Sequence, residues 1–259
     1  VRLDKFLAQS DLGMRKRVRD YVKDGCVKVN GEVIWEPAIE INESSDVIEY
    51  LGKVIVYTGK VYYMFNKPAG CVTARKDAVN KTVFDYFDNE NMNGIFHVGR
   101  LDKDTEGLLL LTNDGEFERK LMDPQNHVEK TYFFWALGSL DKEDIKQLEQ
   151  GISLGKGKIQ TAPSKIEVQK NGLYKEFEQE MASENLCNIN QNYYNLPAVS
   201  GYLTISEGRN HQVKRMLKAV GCYVLYLKRV SIGALKLDDS LERGQYRHLA
   251  LSEDECNEV

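Results

Sequence analysis

The side chains that could do chemistry lie in three stretches. "GRLDKDTEGLLLLTNDG", residues 99–115, sets Asp102, Asp104 and Glu106 at the mouth of a four-leucine run and Asp114 just beyond it. "EKTY" ends on Tyr132, and "EGRNHQVKRMLKAVG", residues 207–221, gathers Arg209, His211, Gln212, Lys214 and Arg215. A carboxylate is a candidate for acid, base or nucleophilic work. Basic residues where a strand turns into a helix can cradle phosphate. Spacing alone also allows a plainer reading. In it Asp104 caps a short turn, Asp102 pairs with Arg100, the 207–221 segment is an ordinary surface helix, and nothing is catalytic.

Other chemistries lack their patterns. No P-loop or G-x-G-x-x-G glycine spacing is present, so no nucleotide cofactor is expected, and there is no serine nucleophile elbow. Cys26, Cys71, Cys187, Cys222 and Cys256 are scattered with no C-x-x-C pair, and the four histidines are equally dispersed. Neither a disulfide framework nor a metal site is expected.

The elements that must position these residues follow from periodicity. Leu3, Phe6 and Leu7 fall at helical spacing, as do Met14, Val18, Tyr21 and Val22, and "CVKVNGEVI" alternates around the hairpin dipeptide Asn30-Gly31. Arg15, Arg19 and Lys23 lie four apart on the second helix, away from its apolar stripe. A compact unit ending near residue 58 is expected. Beyond it, "VYYMFNKPAGCVTA" reads as a strand broken by Pro68 and Gly70, "TVFDYFD" as a short helix and "GLLLLTNDG" as a buried strand ending in a turn at Asn113-Asp114-Gly115. "GEFERKLMDP" reads as a helix stopped by Pro124, "EKTYFFWAL" as a strand, "KEDIKQLEQGI" as an amphipathic helix, and strands are expected near 164–181 and 200–206. The Asn-rich stretch 182–199 lacks periodicity and reads as a loop insertion. In "EGRNHQVKRMLKAVG" the apolar residues Val213, Met216, Leu217 and Val220 form a helical stripe, and Lys214 and Lys218 share a polar face. Helices and strands do not alternate regularly and there are no internal repeats, so the fold class is α+β with mainly antiparallel sheet.

Net charge is −4 over 259 residues, which by itself argues against a nucleic-acid partner. Its placement argues the other way. Residues 1–30 carry eight Lys/Arg against four Asp, with four cations inside "RKRVR", and residues 200–230 carry six against Glu207 alone. That density in "RKRVR" favours phosphate contact over a merely solvated face. No segment reads as a signal peptide or approaches the length of a membrane span, and a cytoplasmic protein is expected.

Taken together the stretches are familiar. "GRLDKDTEGLLLLTND" resembles the signature of the RsuA-like family of ribosomal RNA pseudouridine synthases, "YMFNKPAGCVTA" its first motif, "EKTY" its tyrosine motif and "LTISEGRNHQVKRMLKAVG" its third. Residues 2–34, from "RLDKFLAQ" to "KVNGEVI", look like an S4 (αL) RNA-binding domain. The resemblance implies an S4-like domain over 1–58 and a pseudouridine synthase catalytic domain over 59–259. It implies isomerisation of uridine to pseudouridine in ribosomal RNA, without cofactor or metal, and extrusion of the target base from the RNA stack.

By motif, Asp102 is the catalytic carboxylate, acting on the ribose either at C1′ or at the 2′ proton. Tyr132 lies against the uracil and is the candidate for removing the C5 proton. Lys214 holds the family's basic position, often Arg, beside the catalytic Asp; a lysine there supplies a point charge without the bidentate fork. RNA contacts are expected from Arg2, Lys5, Arg15, Lys16, Arg17, Arg19, Lys23, Arg100, Arg209, His211, Gln212 and Arg215. Asp104 and Glu106 are expected to shape the loop and the start of the strand.

"EGRNHQVKRM" and "HVEKTY" look most like the branch that acts on small-subunit (16S) rRNA. The expected partner is ribosomal RNA or an assembling subunit, with the protein a monomer. Three rivals stand beside this reading: a large-subunit (23S) enzyme, a non-catalytic rRNA-binding or assembly factor on the same fold, and a paired-carboxylate glycosidase. The last requires a second essential acid at 104 or 106 and leaves the basic N-terminal helix without a role.

Overall fold

The structure, a computed structural model, describes residues 1–10, 12–13, 15–43, 45–55, 59–88, 90, 92, 94–154, 160–183 and 190–251. Met14, Gly155, Gly157, Cys187 and Cys256 lie outside the described residues, as do the middle of the expected insertion and the acidic tail.

At the N-terminus α1 (Leu3–Gln9) and α2 (Arg15–Lys23) cover a four-stranded sheet of β1 (Val27–Val29), β2 (Glu32–Val33), β3 (Ile48–Tyr50) and β4 (Lys53–Val54), in the order β2-β1-β3-β4. The apolar stripes seen in the sequence form its core: Leu3, Phe6, Leu7, Val18 and Val22 meet Val27, Val29, Ile41 and Ile48. Asn30 and Gly31 take positive φ values of 51° and 85°, the requirement of a two-residue hairpin turn.

The rest is built on a nine-stranded sheet. Its strands are β5 (Tyr62–Lys67), β6 (Phe96–Val98), β7 (Glu106–Thr112), β8 (Lys130–Leu137), β9 (Ser164–Leu173), β10 (Pro197–Ile205), β11 (Tyr223–Ile232), β12 (Leu235–Lys236) and β13 (Tyr246–His248). The main order is β13-β5-β7-β11-β8-β10-β9, with β6 beside β7 and β12 beside β11. Pairing is antiparallel except where β7 meets β11 in parallel, at Glu106 with Lys228 and Gly107 with Arg229.

The uninterrupted leucine run has a direct cause: β7 is central and covered on both faces. Leu109 and Leu111 pack with Tyr63 and Phe65 on one side, Leu108 and Leu110 with Tyr62, Met64 and α3 (Gly115–Met122) on the other. Across the sheet, α4 (Lys142–Gln150) and α6 (Gln212–Ala219) cover Phe134, Val199, Leu203 and Leu227, and α5 (Glu178–Ser183) lies by Trp135 on the opposite face. Among the described residues no helix is long and apolar enough to cross a membrane.

Several sequence expectations are corrected. The strand expected to run to 181 stops at Leu173, after which Tyr174–Phe177 form a 3-10 turn leading into α5. Tyr174 and Phe177 are buried against Trp135, and that apolar anchoring decides for helix where an alternating pattern suggested strand. The stretch 182–199 is not loop throughout: α5 reaches Ser183, Gln191–Tyr193 form a 3-10 turn, and β10 starts at Pro197. Asp114 is the N-cap of α3, accepting from Glu116 N at 3.0 Å and Phe117 N at 3.4 Å, so it starts a helix as well as ending a strand.

Candidate active site

Asp102 sits on the segment between β6 and β7, and the chain pins that segment from beneath. Thr73 Oγ1 donates to Leu101 O at 2.8 Å and accepts from Leu101 N at 3.2 Å. Lys67, the last residue of β5, is fully buried, and its ammonium donates to Pro68 O at 3.0 Å, Thr105 O at 2.9 Å and Lys103 O at 3.4 Å. Gly70 N reaches the same Lys103 carbonyl at 2.7 Å, and Thr105 N closes a turn on Asp102 O at 3.1 Å. Burial lowers the pKa of Lys67, while Cys71 and the acids at 104, 106 and 102 work to keep it charged.

Opposite this loop is the N-terminus of α6. Gln212 closes its entrance: the amide oxygen accepts from Arg209 N at 2.9 Å, and the amide nitrogen donates to Glu207 Oε1 at 2.7 Å. His211, at the N-cap, takes φ 50°, an uncommon conformation for a residue with a side chain. One turn into the helix, Lys214 Nζ lies 3.0 Å from Asp102 Oδ2 and 2.5 Å from Asp104 Oδ1, and His211 Nε2 lies 3.4 Å from Asp102 Oδ1. Burial disfavours the charge on Lys214, yet its bonds to Asp104 and Asp102 prevail and hold its pKa above the ordinary lysine value. Asp104 shows the counterpart: burial pushes it up, Lys214 pulls it down, and the carboxyl ends below its usual value.

Between loop and helix opens a cleft of about 1140 Å³, lined by Asp102, Asp104, Tyr132, His211 and Lys214 and by Arg100 and Arg209. Tyr132 comes from β8, where it faces Leu203 of β10 on one side and Arg229 of β11 on the other. Three residues from three parts of the chain, Asp102, Tyr132 and Lys214, therefore share one cavity. Among the described residues no cluster of His, Cys, Asp and Glu could hold a metal ion.

Three sequence expectations change here. Asp102 takes Lys214 and His211 as partners, and no ion pair joins it to Arg100 among the described residues. Gln212 is 3% exposed with both ends of its amide engaged inside the protein, so it positions the helix entrance. Asp104 is more than a loop-shaping residue: it shares Lys214 with Asp102. Glu106 does start β7, and it is buried against Tyr226 OH at 2.9 Å and Arg243 Nε at 2.7 Å.

A family profile described as RNA pseudouridylate synthase matches residues 61–219, more than half of the chain, and an S4 domain profile matches residues 1–48.

The chain belongs to the RNA pseudouridylate synthase family. The chain is 39% identical over 254 residues to an uncharacterised RNA pseudouridine synthase of Bacillus subtilis, covering 98% of this chain and 96% of that one. It is 35% identical to the ribosomal small subunit pseudouridine synthase A of Haemophilus influenzae, covering 98% and 97% of the two chains. To the ribosomal large subunit pseudouridine synthase B of Bacillus subtilis it is 38% identical, covering 96% and 91%. A crystal structure described as a pseudouridylate synthase superposes with TM-score 0.63 at 33% identity, covering 100% of this chain and 99% of that one. The fold is thus an S4 domain followed by the synthase fold of this family.

The N-terminal cations divide into two groups. Asp4 is fully buried and holds three of them: Arg2 Nη2 at 3.0 Å, Arg15 Nη2 at 3.0 Å and Arg19 Nε at 2.6 Å. Burial opposes the Asp4 charge, but the arginines outweigh it and keep the carboxyl below its usual value. Lys16, Arg17 and Lys23 stay exposed, Arg17 lying over the Tyr21 ring at 5.6 Å. Lys5 pairs with Glu116 at 3.5 Å and Arg209 with Glu207 at 2.9 Å, while Arg215 Nη1 lies 3.4 Å from Asn210 O on the α6 surface.

Sequence reasoning gave no role to Lys67, Thr73, Lys130, Arg229 or Arg243. Lys67 and Lys130 stood inside quoted motifs, in "NKPAG" and "EKTY", but a lysine carries no sign of being buried. Arg229 reaches the cleft only through the pairing of β11 with β8, and Arg243 reaches the start of β7 only through its bonds to Glu106 and Tyr226.

Proposed function

We propose that this protein isomerises uridine to pseudouridine in small-subunit ribosomal RNA. The observation that carries it is Lys214 bridging Asp102 and Asp104 at the side of a cleft whose floor presents Tyr132. A carboxylate held by a cation at the cleft wall is placed to act on a ribose. A phenol on the floor is placed against a flat base that has left the RNA stack. Asp102 acts at the ribose, Lys214 fixes its charge and direction, and Tyr132 takes the proton that C5 loses. All three come from one chain, and a single copy suffices. Residues 59–259 carry the chemistry, while residues 1–58 hold RNA through Lys16, Arg17 and Lys23, with Arg100 and Arg209 at the cleft rim. Relatives named for the small subunit support that choice of RNA, and a relative named for the large subunit, at 38% identity, keeps the rival substrate in the test.

The test expresses the protein in a strain lacking its own synthases and maps pseudouridine in ribosomal RNA by carbodiimide-dependent primer-extension stops. A new stop in small-subunit RNA that disappears with Asp102→Asn is expected. A stop only in large-subunit RNA would move the substrate there. No stop at all would overturn the reading and leave an RNA-binding factor.

A further inference from the structure

Two cations lie on the cleft floor where cations are rarely left. Arg229 is 2% exposed and Lys130 5% exposed, and both line the cleft. Arg229 stands directly across from Tyr132 in the β8–β11 register, and Lys130 precedes Tyr132 by two residues on the same face of β8. They flank the phenol. Lys130 Nζ donates to two carbonyls, Leu121 O and Val128 O, each at 2.9 Å. Arg229 Nε donates to Leu108 O at 2.8 Å, while its Nη2 is buried with no hydrogen-bond partner. Neither makes an ion pair with a carboxylate among the described residues, although a buried cation ordinarily has one. Burial and the neighbouring Arg229 push the Lys130 pKa down to about 8, a penalty that an arriving anion would reverse.

Depth separates this pair from the other cations of the cleft. Arg100 and Arg209 are exposed at the rim, suited to phosphate oxygens, whereas the floor admits only what is extruded into it. On the uridine reading that is the base. When N1–C1′ breaks, the bonding pair stays with N1 and the uracil becomes an anion whose charge spreads onto O2 and O4. After the base turns, an electron pair of the uracil anion forms the C5–C1′ bond as Asp102 gives up the ribose, and the C5 proton passes to the Tyr132 oxygen while the hydroxyl's own proton goes to N1, so that substrate and product are isomers. We infer that Arg229 and Lys130 form a subsite for the carbonyl oxygens of the detached uracil, stabilising the charge that exists only while the base is free. Fixed donors in a water-poor site act most strongly on charge that develops during reaction. The same contacts keep the base from escaping while it turns.

This rests on the uridine reading, and the experiment separates the two. A small-subunit ribosomal RNA transcript carrying C5-tritiated uridine is treated with excess enzyme, and tritium release and RNA retention on filters are measured. Lys130→Met, which keeps length and removes charge, and Arg229→Lys, which keeps charge and removes the fork, are compared with wild type. Each is expected to slow single-turnover release on the order of 10²-fold, with RNA affinity within about twofold of wild type. A second transcript contains 5-fluorouridine, whose fluorine withdraws electrons and makes the base a better leaving group. Its rearrangement to the C5-linked base, which has no C5 proton to lose and instead takes up water across C6 and N1, is followed by mass spectrometry after digestion and is expected to slow by about tenfold or less, because a better leaving group needs less help.

Equal slowing on both transcripts overturns the inference and makes the pair structural; so does wild-type speed in the variants. Weaker RNA retention at unchanged rate also overturns it, assigning the pair to a phosphate. If either variant does not fold, shown by a lost thermal transition, the leaving-group comparison on the other decides. Absence of tritium release from wild type defeats the uridine reading itself, and this inference with it.

Discussion

Removing the charge of Lys214 isolates what holds Asp102 in place. Its ammonium sits 3.0 Å from Asp102 and 2.5 Å from Asp104, and at an effective dielectric of about 20 the first contact alone has a gross attraction near 5 kcal/mol. Lysine and Asp102 side chains are each about a quarter exposed, so solvent screens much of this, and a charge-assisted hydrogen bond nets about 2 kcal/mol. At 1.36 kcal/mol per decade that is about 30-fold in rate if the contact serves the reaction. Lys214→Met also leaves Asp102 and Asp104 facing each other uncompensated, which raises the expected loss to about 10²-fold.

The assay is single-turnover tritium release from C5-labelled uridine in the small-subunit transcript at saturating enzyme, beside filter retention of the RNA. The loss should fall on rate, with retention nearly unchanged, and Lys214→Arg should recover most of it. Asp104→Asn should retain activity within about tenfold. It removes one of the two carboxylates that keep Lys214 protonated, so its pKa falls and the alkaline loss of activity moves to lower pH. A Lys214→Met enzyme that is folded and as fast as wild type would refute this reasoning. Loss with Asp104→Asn as deep as with Asp102→Asn would restore the paired-carboxylate alternative.

Asp4→Asn should destabilise the N-terminal unit by about 2 kcal/mol, read by chemical denaturation, because three arginines lose their shared acceptor. The Asp4 pKa is depressed on folding, so its contribution is full above the unfolded value near 3.9 and disappears as pH falls through the folded value. A pH–stability curve in which wild type and Asp4→Asn differ equally at pH 7 and pH 2 would contradict this. Gly107 has φ 97°, and a Cβ there would run into the backbone of Arg229, so Gly107→Ala should cost about 3 kcal/mol and lower Tm by roughly 10 °C. A shift under about 2 °C would show that β7 and β11 part easily. Replacing Lys16, Arg17 and Lys23 together by alanine should flatten the slope of log affinity against log salt by about 2. An unchanged slope would remove α2 from the RNA interface.

The local pattern of the sequence carried much of the fold. The apolar spacing of Leu3, Phe6, Leu7, Val18 and Val22 led directly to the helices over the first sheet, since a short amphipathic helix has one way to bury its stripe. Asn30-Gly31 specified its turn because few other residues accept two consecutive positive φ values. The four leucines announced a strand covered on both faces, and "EKTYFFWAL" and "KEDIKQLEQGI" formed the elements their periodicities require. Where local pattern competed with burial it failed, as at Tyr174 and Phe177, whose place against Trp135 ends a strand that alternation alone would extend.

For the site, the sequence by itself determined which residues are present and in what order, and the resemblance singled out Asp102, Tyr132 and Lys214. Only the tertiary structure decided what those residues meet. Lys214 is 112 positions from Asp102 in the chain and 3.0 Å from it in space, because α6 packs on the sheet face that the 102 loop borders. Arg15 and Arg19 read as free cations until Asp4 is seen buried between them, and Arg229 read as one more basic residue until β11 laid it across from Tyr132. The physical reason is common to all three. The charge of a side chain is written in its residue type, but its effective strength depends on burial and on partners brought from distant parts of the chain, and those are properties of packing.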